Sequence, residues 1–134
     1  MASIFTQIVE GNLPCHKICE NDSFLAFLDI NPIKPGHSLV IPKKEVDYLF
    51  DLEDDLYRGL MAFAKPVAEA IRAAVSCQRV GVIVAGYEVP HAHVHLIPTE
   101  SMADFSFALA RRASDPDLAK VAESIRQQLP RVQS

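Results

Sequence analysis

Three histidines at alternate positions, His91, His93 and His95, stand in the run Val89-Pro90-His91-Ala92-His93-Val94-His95-Leu96-Ile97-Pro98, with only apolar residues between them. Strict alternation is the period of a β-strand, whose successive side chains point to opposite faces. The spacing therefore predicts a strand that carries all three imidazoles on one face. At about 3.3 Å per residue, His91 and His95 then lie roughly 13 Å apart along the backbone, too far for three short side chains to meet easily on one ion. A row of rings suits a phosphate chain better. Histidine has the ordinary pKa nearest neutrality, so such a row can offer a neutral ring that attacks phosphorus beside rings that stabilise its oxygens. Two other readings stay open on spacing alone: a metal site that uses two of the histidines, and a purely structural row. The metal reading lacks a cysteine pair or an acidic cluster to complete the ligand set, Glu88 being the only close carboxylate. The structural reading requires a hydrogen-bond partner for each of three buried rings.

A chain of 134 residues is long enough for one core and not for two, so a single domain over 1–134 is expected. Its net charge of −4 argues against a general polyanion binder, whether a nucleic-acid coat or a basic membrane-surface protein. Any phosphate site must be local. Cys15, Cys19 and Cys77 are odd in number and contain no CxxC pair, which indicates neither a disulfide framework nor a zinc ribbon. The start, Met1 to Gln7, lacks a basic region and a long apolar core, and no apolar run reaches the roughly 18 residues of a membrane span. A cytoplasmic soluble protein is the expectation.

Ser3 is a plausible N-cap for a short helix through Val9, ended by Gly11 and Pro14. Strand-like runs at His16 to Glu20 and Phe24 to Asp29, separated by Asn21-Asp22-Ser23, read as a hairpin. After the rigid Asn31-Pro32 and Pro35-Gly36 loop, His37 to Ile41 is a third strand. Leu52, Leu56, Leu60, Phe63, Val67, Ile71 and Val75 recur at helical intervals from Asp51 onward, with Pro66 predicting a kink or a break into two pieces. Arg79 to Ala85 is an apolar strand, and Gly86 turns the chain toward the histidine strand. Ser114 and Pro116 open a last helix that runs to about Leu129, while Asp104 to Ala113 has no clear pattern. The sum is an α+β domain, a five-stranded antiparallel sheet with helices packed on it.

Neither GxGxxG nor GxxxxGK[ST] occurs, so a nucleotide would have to be bound without either phosphate loop. Asp29, at the end of an apolar strand, can accept hydrogen bonds from two ribose hydroxyls or can simply cap the following turn. Phe5, Ile8 and Phe27 would sandwich a purine if the first helix folds against the second strand, though residues of these types are more often simply core. His37 can support the triplet if its strand lies beside it. Lys43 and Lys44 read as a solvated strand end and His16 as a surface residue.

These residues resemble the histidine triad (HIT) superfamily, whose signature is His-x-His-x-His followed by apolar residues. The likeness extends to Ser3-Ile4-Phe5 with Ile8, to Leu25-Ala26-Phe27-Leu28-Asp29-Ile30-Asn31-Pro32, and to Pro35-Gly36-His37 through Lys44. It covers about residues 1–100 and leaves 101–134 as a C-terminal extension with a helix. It is closest to the small Hint-like branch. The resemblance implies a homodimer whose subunits join sheets, binding purine nucleoside monophosphates such as AMP and acting as a phosphoramidase or related nucleotidyl hydrolase at the α-phosphate. It makes His93 the nucleophile, with His91 and His95 flanking the phosphate and His37 supporting the row. Asp29 becomes the ribose-binding acid, and Phe5, Ile8, Phe27 and Ile30 the base pocket. No metal and no cofactor are implied for catalysis. Dinucleoside polyphosphate hydrolysis uses the same nucleophile, and a nucleotide-binding regulatory module with little turnover is a further alternative.

The chain also departs from the family. Val84-Ala85-Gly86-Tyr87-Glu88 leads directly to Val89 and the triplet, with Tyr87 where glutamine is usual and Glu88 where a small hydroxyl residue often touches phosphate. Leaving-group recognition at Tyr87, Glu88 and Val89 is therefore expected to differ. Some bacterial relatives hold a structural zinc with a CxxC near the N-terminus and a histidine after the Lys-Lys pair. Here Ser3, Thr6 and Glu45 stand in those places, so that zinc is expected to be missing.

Overall fold

A computed structural model describes residues 2–130. Residue 1 and residues 131–134, which the single-domain reading of 1–134 includes, lie outside the described residues. The chain forms helix α1 (Ile4–Val9), strands β1 (Lys17–Glu20), β2 (Phe24–Leu28) and β3 (Ser38–Pro42), and the long helix α2 (Asp54–Ala74). Strands β4 (Arg79–Ile83) and β5 (Val94–Thr99) and helix α3 (Asp115–Gln128) follow. All neighbouring strands are antiparallel, in the order β1-β2-β3-β5-β4. The expected five-stranded α+β architecture is what forms.

Alternation along the strands sorts the core into two. Phe24, Ala26 and Leu28 of β2, Val40 of β3 and Val94 and Leu96 of β5 face α2 and α3, where they pack with Leu60, Val67, Ile71, Leu118 and Ile125. The intervening Leu25, Phe27, Leu39 and Ile41 face the other way and pack with Phe5 under α1. Ser3 caps α1 as expected, its hydroxyl accepting the Thr6 amide at 3.0 Å.

Two expectations need correction. Pro66 neither breaks nor divides the long helix, which runs continuously from Asp54 to Ala74. The lost partner is the carbonyl of Ala62, an exposed residue where water can replace the bond, and Leu60, Ala64, Val67 and Ile71 pin both halves to the sheet. The histidine strand, in turn, starts at Val94, so His91 and His93 precede it. Pro90 has no amide hydrogen to give a ladder, the His91 amide turns back to the Val89 carbonyl at 2.8 Å, and the Ala92 amide bonds Val46 O at 2.7 Å. The patternless stretch after β5 forms two short 3-10 turns, Met102–Asp104 and Phe107–Leu109. Phe105 between them lies where a Cβ on Gly81 would stand, 2.2 Å from its Cε1, which holds the segment against β4.

Candidate active site

Two loops and α1 bring the site together on the face opposite the long helices. The β2–β3 loop delivers His37, and Gly36 before it has φ 101° with Val75 Cγ2 only 2.9 Å from where a Cβ would be. Only glycine fits there, so the approach of His37 is fixed by backbone geometry. Register then sets Leu39 opposite His95, with His37 next to that ring.

The hydrogen bonds around the four rings determine which nitrogen of each carries a proton. The Ile33 amide donates to His37 Nδ1 at 3.0 Å, so that nitrogen is unprotonated and His37 Nε2–H donates to His95 Nδ1 at 2.9 Å. His95 therefore keeps its proton on Nε2. His93 is the reverse: its Nδ1 lies 2.7 Å from the His91 carbonyl, which can only accept, so the proton sits on Nδ1 and the lone pair on Nε2. Among the described residues neither Nε2 has a protein partner, and no buried side-chain nitrogen or oxygen is left without one, so both reach the open site. The two rings meet edge to face with centroids 4.9 Å apart. One bare nitrogen and one N–H donor stand side by side.

His91 does not join that pair. It is fully buried, its Nε2–H donating to Pro42 O at 2.7 Å and its Nδ1 facing the Ser3 hydroxyl at 2.8 Å. Ser3 and Thr6 are themselves tied to Glu45, whose Oε1 accepts the Ser3 amide at 2.7 Å and the Thr6 hydroxyl at 2.6 Å. This knot of hydroxyls, carboxylate and imidazole contains no thiolate and is internally satisfied, a poor fit for structural zinc. Among the described residues, Asp29, His37 and His95 also bring three ligand-type atoms within 4.8 Å of one another. There the facing nitrogens of the two rings already share a proton.

Burial disfavours the charged form of His95, His37 and His91. It lowers His95 from the usual histidine value to about 3, with the His37 and His93 charges adding to the effect, and lowers His37 to about 4. His91 is lowered by the same cause. Burial raises the Asp29 carboxyl, while the Asn31 amide, 2.9 Å from Oδ1, partly offsets the rise and the nearby Glu88 adds to it. Asp29 thus caps its turn with one oxygen while its side chain also lines the cavity.

That cavity, about 420 Å³, is bounded by Phe5, Ile8, Phe27, Asp29, Ile30, Glu88 and Val89, with His93 and His95 at its end. Phe5 stands edge-on to Phe27 at 5.6 Å and to His93 at 5.0 Å. A second cavity of about 180 Å³ lies beyond the same two histidines, lined also by Gly86, Tyr87, Glu88 and Phe107. Tyr87, almost fully exposed, borders this outer side and also a further cavity of about 280 Å³ that runs from Asp47 and Phe50 to His93. Of the residues singled out from sequence, His37 and His91 stand behind the cavity wall and the rest border one cavity or the other. Leu39 and Phe107 were missed. Strand alternation through β3 could have indicated Leu39, whereas Phe107, packed edge-on against His95 at 4.9 Å, lies in a stretch without periodicity.

A HIT domain model matches residues 10–102. The chain belongs to the HIT domain family. The adenosine 5'-monophosphoramidase hnt1 of Schizosaccharomyces pombe is 37% identical over 103 residues, which cover 73% of this chain and 74% of that protein. Among solved structures, a HIT-like protein from Bartonella henselae superposes with TM-score 0.84 at 27% identity, covering 95% of this chain and 96% of that one. A zinc-bound histidine triad family protein from Mycobacterium smegmatis superposes with TM-score 0.82 at 30% identity, over 96% and 93% of the two chains. The HIT match contains Asp29, His37, Glu88 and all three alternate histidines, and it ends before Phe107.

Proposed function

We propose that this HIT protein hydrolyses purine nucleoside phosphoramidates at the α-phosphorus, through a covalent intermediate on His93. The observation that carries the reading is the opposite protonation of two adjacent rings: a lone pair on His93 Nε2 and an N–H on His95 Nε2, both open to the cavity. In this reading the base lies between Phe5, Ile8, Phe27 and Ile30, and Asp29 accepts from the ribose. His93 Nε2 attacks phosphorus and forms an N–P bond as the original P–N bond breaks. The departing nitrogen takes a proton from solvent and leaves as an amine. The His91 carbonyl, bonded to Nδ1–H, stabilises the positive ring that results, and His95 Nε2–H donates to a non-bridging oxygen. Water then attacks phosphorus, the N–P bond breaks, a proton returns to solvent and the monophosphate departs. Two inversions give net retention. The name of the fission-yeast relative supports the choice of an adenosine phosphoramidate as first substrate.

His37 does not touch the reacting atoms in this scheme and acts by fixing the tautomer of His95. The sheet ends at β4, an open edge with Val82 and Val84 exposed, and pairing of two copies along it is part of the proposal. Rapid quenching of the protein with adenosine phosphoramidate, followed by intact-mass measurement, tests the chemistry. A nucleotidyl adduct on the wild type that is absent from His93→Ala is expected, and turnover without any adduct overturns the covalent route.

A further inference from the structure

Resting on that reading, we propose that the outer cavity, bounded by Glu88, Tyr87 and Phe107, is a leaving-group subsite that selects an amine carrying a second, positively charged group and rejects polyphosphate leaving groups. The two cavities share three residues, Glu88, His93 and His95. With a nucleoside in the larger one, its α-phosphorus lies at that junction, and the outgoing group departs on the side away from the attacking nitrogen, into the smaller one. Phe107, half exposed and edge-on to His95, offers an apolar wall for a short hydrocarbon stem. Glu88 supplies the charge at the junction.

What is absent matters as much. Among the described residues no lysine or arginine lines either cavity, while Asp29 and Glu88 both do. The His95 imidazole at the junction cannot substitute, since burial keeps it neutral at physiological pH. A leaving nucleotide or pyrophosphate would bring two or more negative charges beside a carboxylate with no lysine or arginine to balance them, whereas an ammonium on the leaving amine would meet a complementary charge. At separations of about 6 Å in a partly solvated site, one such charge contact changes binding by roughly tenfold. Cleavage of dinucleoside polyphosphates is disfavoured by the same argument.

The test compares kcat/KM for three adenosine-derived substrates: the phosphoramidate of a diamine, the phosphoramidate of a neutral alkylamine of equal length, and diadenosine tetraphosphate. The diamine compound should exceed the neutral one about tenfold, and the tetraphosphate should be poorest. In Glu88→Gln the diamine-to-neutral ratio should approach one, and in Glu88→Lys it should invert while the tetraphosphate gains relative to both. The wild-type ratio should also shrink as salt rises, which a purely steric preference would not do. A diamine-to-neutral ratio near one in the wild type, or one that Glu88→Gln and salt leave alone, overturns the subsite while leaving the His93 adduct intact. Failure to turn over any of the three overturns both proposals.

Discussion

The two faces of the sheet are built by the same alternation and filled with opposite chemistry. On the face under α2 and α3, the buried side chains are mostly hydrocarbon, Leu60, Val67, Ile71 and Leu96 among them, and the buried Ser38 hydroxyl is satisfied by donating to Gly36 O at 2.8 Å. On the face under α1, a smaller apolar cluster surrounds His91, His93 and His95, with His37 beside them, all four buried and hydrogen-bonded. Buried imidazoles are tolerated only because Ile33 N–H, Pro42 O, the His91 carbonyl and the Ser3 hydroxyl stand at the right nitrogens. Those partners do more than satisfy the rings, since they also decide which nitrogen carries the proton and which keeps its lone pair. The larger apolar core and the proposed reacting groups therefore lie on separate faces, joined by β2, β3 and β5.

The sharpest way to break this separation is a pair of substitutions, one on each face. His93→Ala removes the proposed attacking atom and one hydrogen bond, so phosphoramidate turnover should fall by roughly three orders of magnitude or more while stability changes by about 1 kcal/mol. Ile71→Ala, fully buried between helix and sheet, should cost about 2–5 kcal/mol in denaturant unfolding, with kcat of the remaining folded protein nearly unchanged. Comparable losses of stability in both variants would refute the division.

That division was largely legible in the sequence, because it follows from periods of two and 3.6 residues. The apolar repeat of α2, the hairpin β1–β2 and the caps Ser3 and Ser114 all form where their residue types predict. Failures came where a single backbone group decides. Pro66 costs one hydrogen bond, but side-chain packing on both sides of it outweighs that loss. Pro90 ends the strand ladder early, and so His91 leaves the row of rings to become buried scaffolding whose carbonyl, rather than its imidazole, serves His93. Opposite tautomers on two residues of one type cannot be read from spacing, since they depend on an amide at position 33 and a carbonyl at position 91. Phe107 is invisible for a different reason: its placement depends on Phe105 filling the space above Gly81.

Acid should separate the faces next, with an effect of a few kcal/mol. His37 and His95 have folded pKa values depressed to about 4 and about 3, so the unfolded chain binds their protons first as pH falls. Their stabilising contribution is complete above the unfolded value near 6.5 and is lost progressively between about pH 6.5 and those lower values. Asp29, raised by burial, acts with the opposite sign at lower pH, where its protonation favours the folded state. Urea midpoints should therefore decline from pH 7.5 to 5, and His37→Gln, which has no titrating ring at that position, should show a shallower decline. An equal slope in both proteins would mean that acid acts elsewhere.

The smallest expected effect examines the seam between α1 and the site. Ser3 accepts from the Thr6 amide and donates to His91 Nδ1, so one hydroxyl caps the helix that carries Phe5 and also fixes the ring whose carbonyl holds His93. Ser3→Ala should cost about 1 kcal/mol of stability, the usual magnitude for a lost cap. Its effect on turnover should be only a few-fold and should fall on KM as well as kcat, because Phe5 and Ile8 would shift with the helix. Ser3→Thr keeps the hydroxyl and should restore both. If Ser3→Ala instead lowered kcat alone as far as His93→Ala does, the hydroxyl would belong to the reacting machinery, and the faces would differ in more than their side chains.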